Sequence, residues 1–194
     1  MHMCVFRHPL ASLVCVIQTM DEWCYKDRYT CQRIIDGSNN SCSVWLGPHT
    51  VGRDSTHMQS LGITDIVLVK ADTKAENASL WERFPDIFRY HTVWFGLNDG
   101  MSQFSKVAAQ IRNVSNVLFL GSTGTSRSAA LICAYLIDAF GYSAEAAVCR
   151  VAEARKCALI SPILRRQLDE FSIIKSAARD THTATSENRK RKGV

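Results

Sequence analysis

Between residues 21 and 95 the apolar positions come in short runs bounded by turn residues, which predicts strands rather than helices. "DEWCYKDRYTCQRIIDG" (21–37) and "SVWLGP" (43–48) read as two short strands around the polar loop "SNNSC". Gly47-Pro48 closes the second. "DSTHMQSLGI" (54–63) predicts a short helix stopped by Gly62. In "TDIVLVK" the unbroken run Ile66–Val69 predicts a strand buried on both faces. After a polar patch, "YHTVWF" (90–95) is a further strand. From Ser102 the period becomes helical, with Phe104, Val107, Ala108 and Ile111 at i, i+3, i+4 and i+7. "NVLFL" (116–120) returns to a strand. "SAALICAYLIDAF" (128–140) is apolar nearly all round, the mark of a central buried helix, with Gly141 as its stop. Ser143 caps the next helix, with Ala144, Ala147, Val148 and Val151 inward. Ser161-Pro162 opens the last, with Leu164, Leu168 and Phe171 inward. Strands alternating with helices and closed by three helices predict an α/β layered fold.

Length and charge refine this picture. The 194 residues suit one domain with tails: an extension over 1–20 of unassigned role, a domain over 21–176, and a polar, basic tail over 177–194 expected to be disordered. The formal net charge is +5. Arg189, Lys190, Arg191 and Lys192 carry four of those charges, leaving a nearly neutral body and no expectation of nucleic-acid binding. The apolar run "LASLVCVI" (10–17) is too short to cross a membrane, and no small-x-small cleavage site follows it. There are eight cysteines, three of them (Cys133, Cys149, Cys157) in stretches that read as core helices, and no CxxC pair. Reduced thiols, no metal or cofactor and a cytoplasmic location are therefore expected, with nuclear access through the basic run as an addition.

The chemistry concentrates in "VLFLGSTGTSRSAALICAYLI" (117–137). A strand runs into a loop of glycine and hydroxyl residues, then an arginine, then a helix. The first N–H groups of a helix have no internal partner and carry the positive end of its dipole. A glycine-bearing loop ahead of them can turn several amides toward one anion. Gly124 permits the turn, Arg127 offers a planar fork for two phosphate oxygens, and the hydroxyls of Ser122, Thr123, Thr125 and Ser126 form a rim. The same composition also serves as a plain strand-to-helix connection. The nucleotide-binding pattern G-x-x-x-x-G-K-[ST] is absent.

This segment resembles the signature of dual-specificity protein phosphatases within the protein tyrosine phosphatase family: strand, His-Cys, five residues, Arg, Ser/Thr, helix. "SVWLGP" resembles that family's strand ending in Leu-Gly, "LGITDIVLV" its helix-to-strand passage, and "SPILRRQLDEF" its closing helix. The resemblance implies a dual-specificity phosphatase-like α/β fold, a central mixed sheet flanked by helices. Where the family has His-Cys, this chain has Leu120-Gly121. Five residues still separate Gly121 from Arg127, so the nucleophile position falls on glycine and the covalent step has no thiolate. By resemblance Leu120 also removes an imidazole that would order the loop. Gly121 at this place, Trp23-x-Tyr25, Gln32-x-Ile34 and "WLGPH" are similar to an inactive branch of the family and extend the match to about Asp21.

The resemblance implies that Gly121, Ser122, Thr123, Gly124, Thr125, Ser126 and Arg127 hold phosphate. It implies that Asp99 in "GLNDG" occupies a vestigial general-acid position, only 22 positions before Gly121, across a shortened helix. It also implies a non-enzymatic protein that binds phosphorylated Ser, Thr or Tyr in signalling proteins such as mitogen-activated protein kinases. Two alternatives stay open: an interaction module that leaves the loop unused, and a weak phosphatase with a displaced nucleophile. The second is disfavoured because Cys133 lies deep in the predicted helix and the six histidines lie elsewhere in sequence.

Overall fold

In the computed structural model of the chain, the described residues are 29–37, 42–71 and 82–192. Trp23, Tyr25 and the 1–20 extension lie outside them. Five strands form one mixed sheet in the order β1-β2-β5-β3-β4. They are β1 (Gln32–Ile35), β2 (Ser43–Pro48), β3 (Asp65–Lys70), β4 (Arg89–Trp94) and β5 (Asn116–Gly121). β1 is antiparallel to β2; every other pairing is parallel. The strands β2, β5, β3 and β4 therefore all end on one edge of the sheet, and the loops beyond that edge converge.

The apolar runs explain which strands are central. Along β3, Val67 and Val69 enter one core cluster while Ile66 and Leu68 enter the other. Along β5, Val117 and Phe119 oppose Leu118 and Leu120 in the same way. One face is covered by a 3-10 turn (His49–Arg53) and α1 (Ser55–Ser60), capped by the Asp54 carboxylate and followed by Gly62 at φ +71°. The other is covered by α2 (Gly100–Ile111), α3 (Arg127–Phe140), α4 (Ala144–Ala154) and α5 (Pro162–Lys192). As the periodicity predicts, Phe104, Val107, Ala108 and Ile111 are buried, and α3 is buried on all sides from Ser128 to Ile137. Gly141, at φ +73°, ends α3, and the Ser143 hydroxyl caps α4. Phe95, Phe104 and Phe171 meet edge to face, with centroids 5.9 and 5.5 Å apart, locking α2 and α5 to the end of β4.

Three expectations need correction. Of the cysteines assigned to core helices only Cys133 is in the core. Cys149 is exposed, on the face of α4 opposite Ala144, Ala147 and Val151, and Cys157 sits half-buried in the connection after α4. α2 begins at Gly100 rather than Ser102. The last helix does not give way to a disordered tail after 176 but continues to Lys192, since no Gly or Pro interrupts residues 163–192. Arg179, beyond that boundary, donates to the Ile137 carbonyl at 2.8 Å. Among the described residues no helix is long and apolar enough to cross a membrane.

Candidate functional site

β5 ends at Gly121 with its neighbour β2 in register, Gly47 opposite Leu120 and Pro48 opposite Gly121. Residues 122–126 then loop into α3, which opens at Arg127. The loop and the end of β3 (Val69, Lys70, Ala71) enclose a cavity of about 190 Å³.

The loop's carbonyls are held from outside this cavity. His49 Nδ1 donates to Ser122 O at 2.9 Å; a carbonyl only accepts, so that nitrogen carries the ring proton. Arg155 donates from Nη2 to Thr123 O (3.0 Å) and from Nε to Gly124 O (2.9 Å). Leu159 N–H bonds Thr125 O at 2.9 Å. In a trans peptide the C=O and the next N–H point in opposite directions. Drawing four consecutive carbonyls outward therefore turns the amides of residues 123–126 inward. The start of α3 adds to these donors: Ser126 occupies the N-cap position without a side-chain capping bond, and its hydroxyl accepts instead from Ser161 N–H at 3.1 Å. The result is a ring of backbone donors at the positive end of a helix.

Arg155 makes this geometry rigid. It is fully buried, and its guanidinium also reaches Thr30 O (3.2 Å) and Gln32 Oε1 at the start of β1. One planar fork thus fixes both the loop and the sheet edge beside it. Gly124 is required twice over. Its φ is +67°, and a Cβ there would lie 2.6 Å from the Gly47 carbonyl carbon and oxygen.

Arg127 lines the cavity, half-buried, with Nη1 3.4 Å from Phe95 O. Gly121 is buried at the cavity floor, where a Cβ would stand 2.8 Å from Ser128 Oγ. Leu120 turns the other way, into the cluster of Val51, Met58, Ile66, Leu68 and Leu118, with its Cδ1 close against Gly52. All seven residues expected to hold phosphate thus line one cavity. Asp99 does not join them. It is exposed at the start of α2 and is absent from the cavity wall, and its neighbour Gly100 packs against Gln167.

None of the described residues that line the cavity is a cysteine or a histidine. Cys133 is fully buried, and burial pushes its thiol far above the ordinary range. The histidine that the fold brings to the loop, His49, was not legible in the sequence. It bonds a backbone carbonyl of the loop, supplying from the 3-10 turn after β2 the ordering expected to be lost at Leu120. Lys70 and Arg155 were missed as well. Lys70 is 1% exposed, ends β3 and lines the cavity.

No protein-family model matches the chain. Serine/threonine/tyrosine-interacting protein A of Xenopus laevis is 27% identical over 172 residues, covering 84% of this chain and 74% of that protein. The crystal structure of human tyrosine phosphatase-like serine/threonine/tyrosine-interacting protein superposes with a TM-score of 0.61 at 24% identity, over 76% of this chain and 98% of that one. A mouse dual specificity phosphatase structure superposes with a TM-score of 0.60 at 20% identity, over 78% of this chain and 91% of that one. The chain has the dual-specificity phosphatase fold and is a sequence relative of the serine/threonine/tyrosine-interacting proteins.

Proposed function

We propose that this protein holds phosphorylated side chains in the loop cavity without hydrolysing them, and acts as a phosphoprotein-binding scaffold or competitor. One observation carries the reading. The amides of residues 123–126 are turned toward a cavity that Arg127 lines, while the floor of that cavity is the bare backbone of Gly121. Binding needs donors and a cation, and both are present. Turnover needs a nucleophile and an acid. Glycine has no side chain to attack phosphorus, and Asp99 is outside the cavity. Phosphoproteins of signalling pathways, mitogen-activated protein kinases among them, are the proposed partners, met in the cytoplasm and, through the basic run Arg189–Lys192, in the nucleus.

Titration of a phosphopeptide against the wild type and Arg127→Ala tests the binding half. At least a tenfold loss is expected in the variant, and equal affinity would refute it. The wild type is also expected to leave a chromogenic phosphate ester intact. Saturable hydrolysis that disappears on changing one cradle residue would refute the other half.

A further inference from the structure

We propose that Lys70 is a second cationic contact for the bound anion, so that the cradle selects doubly charged phosphate monoesters over singly charged anions of the same shape. This rests on the reading of the cavity as a phosphate seat and names the charge state it takes.

Lys70 sits where an apolar strand face meets the cavity. Ile66 and Leu68, the preceding residues on its face of β3, are packed in the core, and the next position is a lysine. Lysine is rarely buried to this degree, and here the strand places it against the cavity wall, next to the strand that ends in Gly121. Trp94, its register partner on β4, has its ring centre 5.5 Å from Lys70 Nζ. That distance suits a cation–π contact, which restrains the ammonium before any ligand arrives.

The residues that line the cavity therefore include two basic ones, Arg127 and Lys70, and no aspartate or glutamate. In an active phosphatase site a thiolate would offset one positive charge; Gly121 offers none. A phosphate monoester is mostly a dianion above its second pKa, about 6, whereas a sulfate ester of the same tetrahedral shape stays a monoanion. Attraction scales with the product of charges, so a second cation favours the phosphate over the sulfate.

The test uses phenyl phosphate and phenyl sulfate as probes of the full chain by calorimetry between pH 5 and 8. The proteins are wild type, Lys70→Met, Lys70→Arg and Arg127→Ala. Wild type is expected to prefer phenyl phosphate at least tenfold at pH 7.5, with the preference shrinking as pH falls through about 6. Lys70→Met is expected to lower phosphate affinity about tenfold and sulfate affinity much less, and Lys70→Arg to keep the preference. Arg127→Ala weakens both probes. If Arg127→Ala weakens binding while Lys70→Met matches the wild type for both probes, the role of Lys70 is overturned and the phosphate seat stands. If Arg127→Ala weakens neither probe, the seat itself is wrong. Should Lys70→Met fail to fold, wild type alone decides: a phosphate-to-sulfate ratio that stays constant from pH 5 to 8 overturns the inference.

Discussion

Gly121→Cys puts a nucleophile back at the cavity floor, and its consequences can be worked out from the geometry. The new Cβ would meet Ser128 Oγ at 2.8 Å. That contact is a few tenths of an ångström too short, and the serine relieves it by turning about χ1, at a cost of about 1 kcal/mol. The fold should therefore survive. Lys70, Arg127 and the start of α3 all favour the ionised thiol, so its pKa should fall well below the usual value of about 8.5. Once ionised, the thiolate repels a bound phosphate by about 4 kcal/mol per pair of unit charges at ~4 Å and an effective dielectric near 20. Removing glycine returns roughly 0.5–1 kcal/mol of ordering cost. The net loss is about 3 kcal/mol, or roughly a hundredfold in affinity, for a singly charged phosphate, and larger for the dianion. Three measurements follow: phosphate binding by calorimetry, iodoacetamide alkylation between pH 5 and 9, and turnover of a fluorogenic aryl phosphate. Wild type should bind phosphate more tightly than the variant. The variant should alkylate rapidly by pH 7 and release the fluorophore slowly, since no aspartate or glutamate lines the cavity to supply an acid, a contribution of about 10²–10⁴-fold elsewhere. Adding Leu120→His should raise turnover further, although it removes a leucine packed against Val51 and Leu118 and costs about 2–4 kcal/mol of stability. A folded Gly121→Cys protein that binds phosphate as tightly as wild type, and whose thiol alkylates only above pH 8, would refute the placement of residue 121 at the seat.

Arg155→Met should reduce phosphate affinity at least tenfold, although Arg155 lines no part of the cavity, because Thr123 and Gly124 lose the bonds that turn their carbonyls outward. Thermal melting should show about 3–5 kcal/mol of destabilisation for losing a fully buried, multiply bonded guanidinium. An affinity unchanged in a folded Arg155→Met protein would deny it a positioning role. Asp138 links three helices through Arg112 (2.9 Å) and Lys175 (2.6 Å), and its side chain is 8% exposed. Burial pushes its carboxyl up, but the hydrogen bonds from Lys175 and Arg112 outweigh that and hold it below the ordinary carboxylate range. A lowered folded-state pKa adds stability that is present above the unfolded value of about 3.9 and is lost as pH falls through the folded one. Asp138→Asn should therefore cost about 1–2 kcal/mol at pH 7, a modest figure because Arg112 is largely exposed, and progressively less below pH 4. Urea melts of both proteins from pH 3 to 7 check this, and a difference that stays constant across the range would contradict it.

The parts of the site that lie in one contiguous stretch were legible in the sequence. Gly121, the loop and Arg127 fall between a strand and a helix whose periods are unambiguous, so their placement follows from local pattern alone. The residues that shape the loop come from elsewhere, and the sequence carried no local signal for them. His49 reaches Ser122 only because β2 pairs with β5 in the register that sets Pro48 beside Gly121, and pairing register is not written in hydrophobic periodicity. Arg155 follows the last apolar position of α4, where a cation reads as a routine complement to the helix dipole. Lys70 reads as the polar end of a buried strand. Cys149 was misplaced for a different reason: a stripe through Ala144, Ala147 and Val151 leaves it on the solvent face, a distinction that small residues blur.

Those residues from elsewhere also bear on whether the loop is used. A plain connection between β5 and α3 requires little: a turn residue and a helix start. This one contains a left-handed glycine pressed against the backbone of Gly47, is braced by a fully buried arginine, and shares its cavity with a nearly fully buried lysine. Burying a guanidinium or an ammonium carries a desolvation penalty of several kcal/mol that apolar side chains of similar volume would avoid. Ordering a glycine at positive φ costs more than ordering most residues. None of these costs is recovered by chemistry at Gly121, where no group can attack. Arg155 is satisfied by its own hydrogen bonds, and what those bonds maintain is a loop whose inward amides and Arg127 fork gain an acceptor and a counter-charge if an anion sits in the cavity. Departures from the cheapest local solution concentrate where a protein binds something. The architecture of this loop therefore favours a phosphate seat over an interaction module that leaves the loop idle.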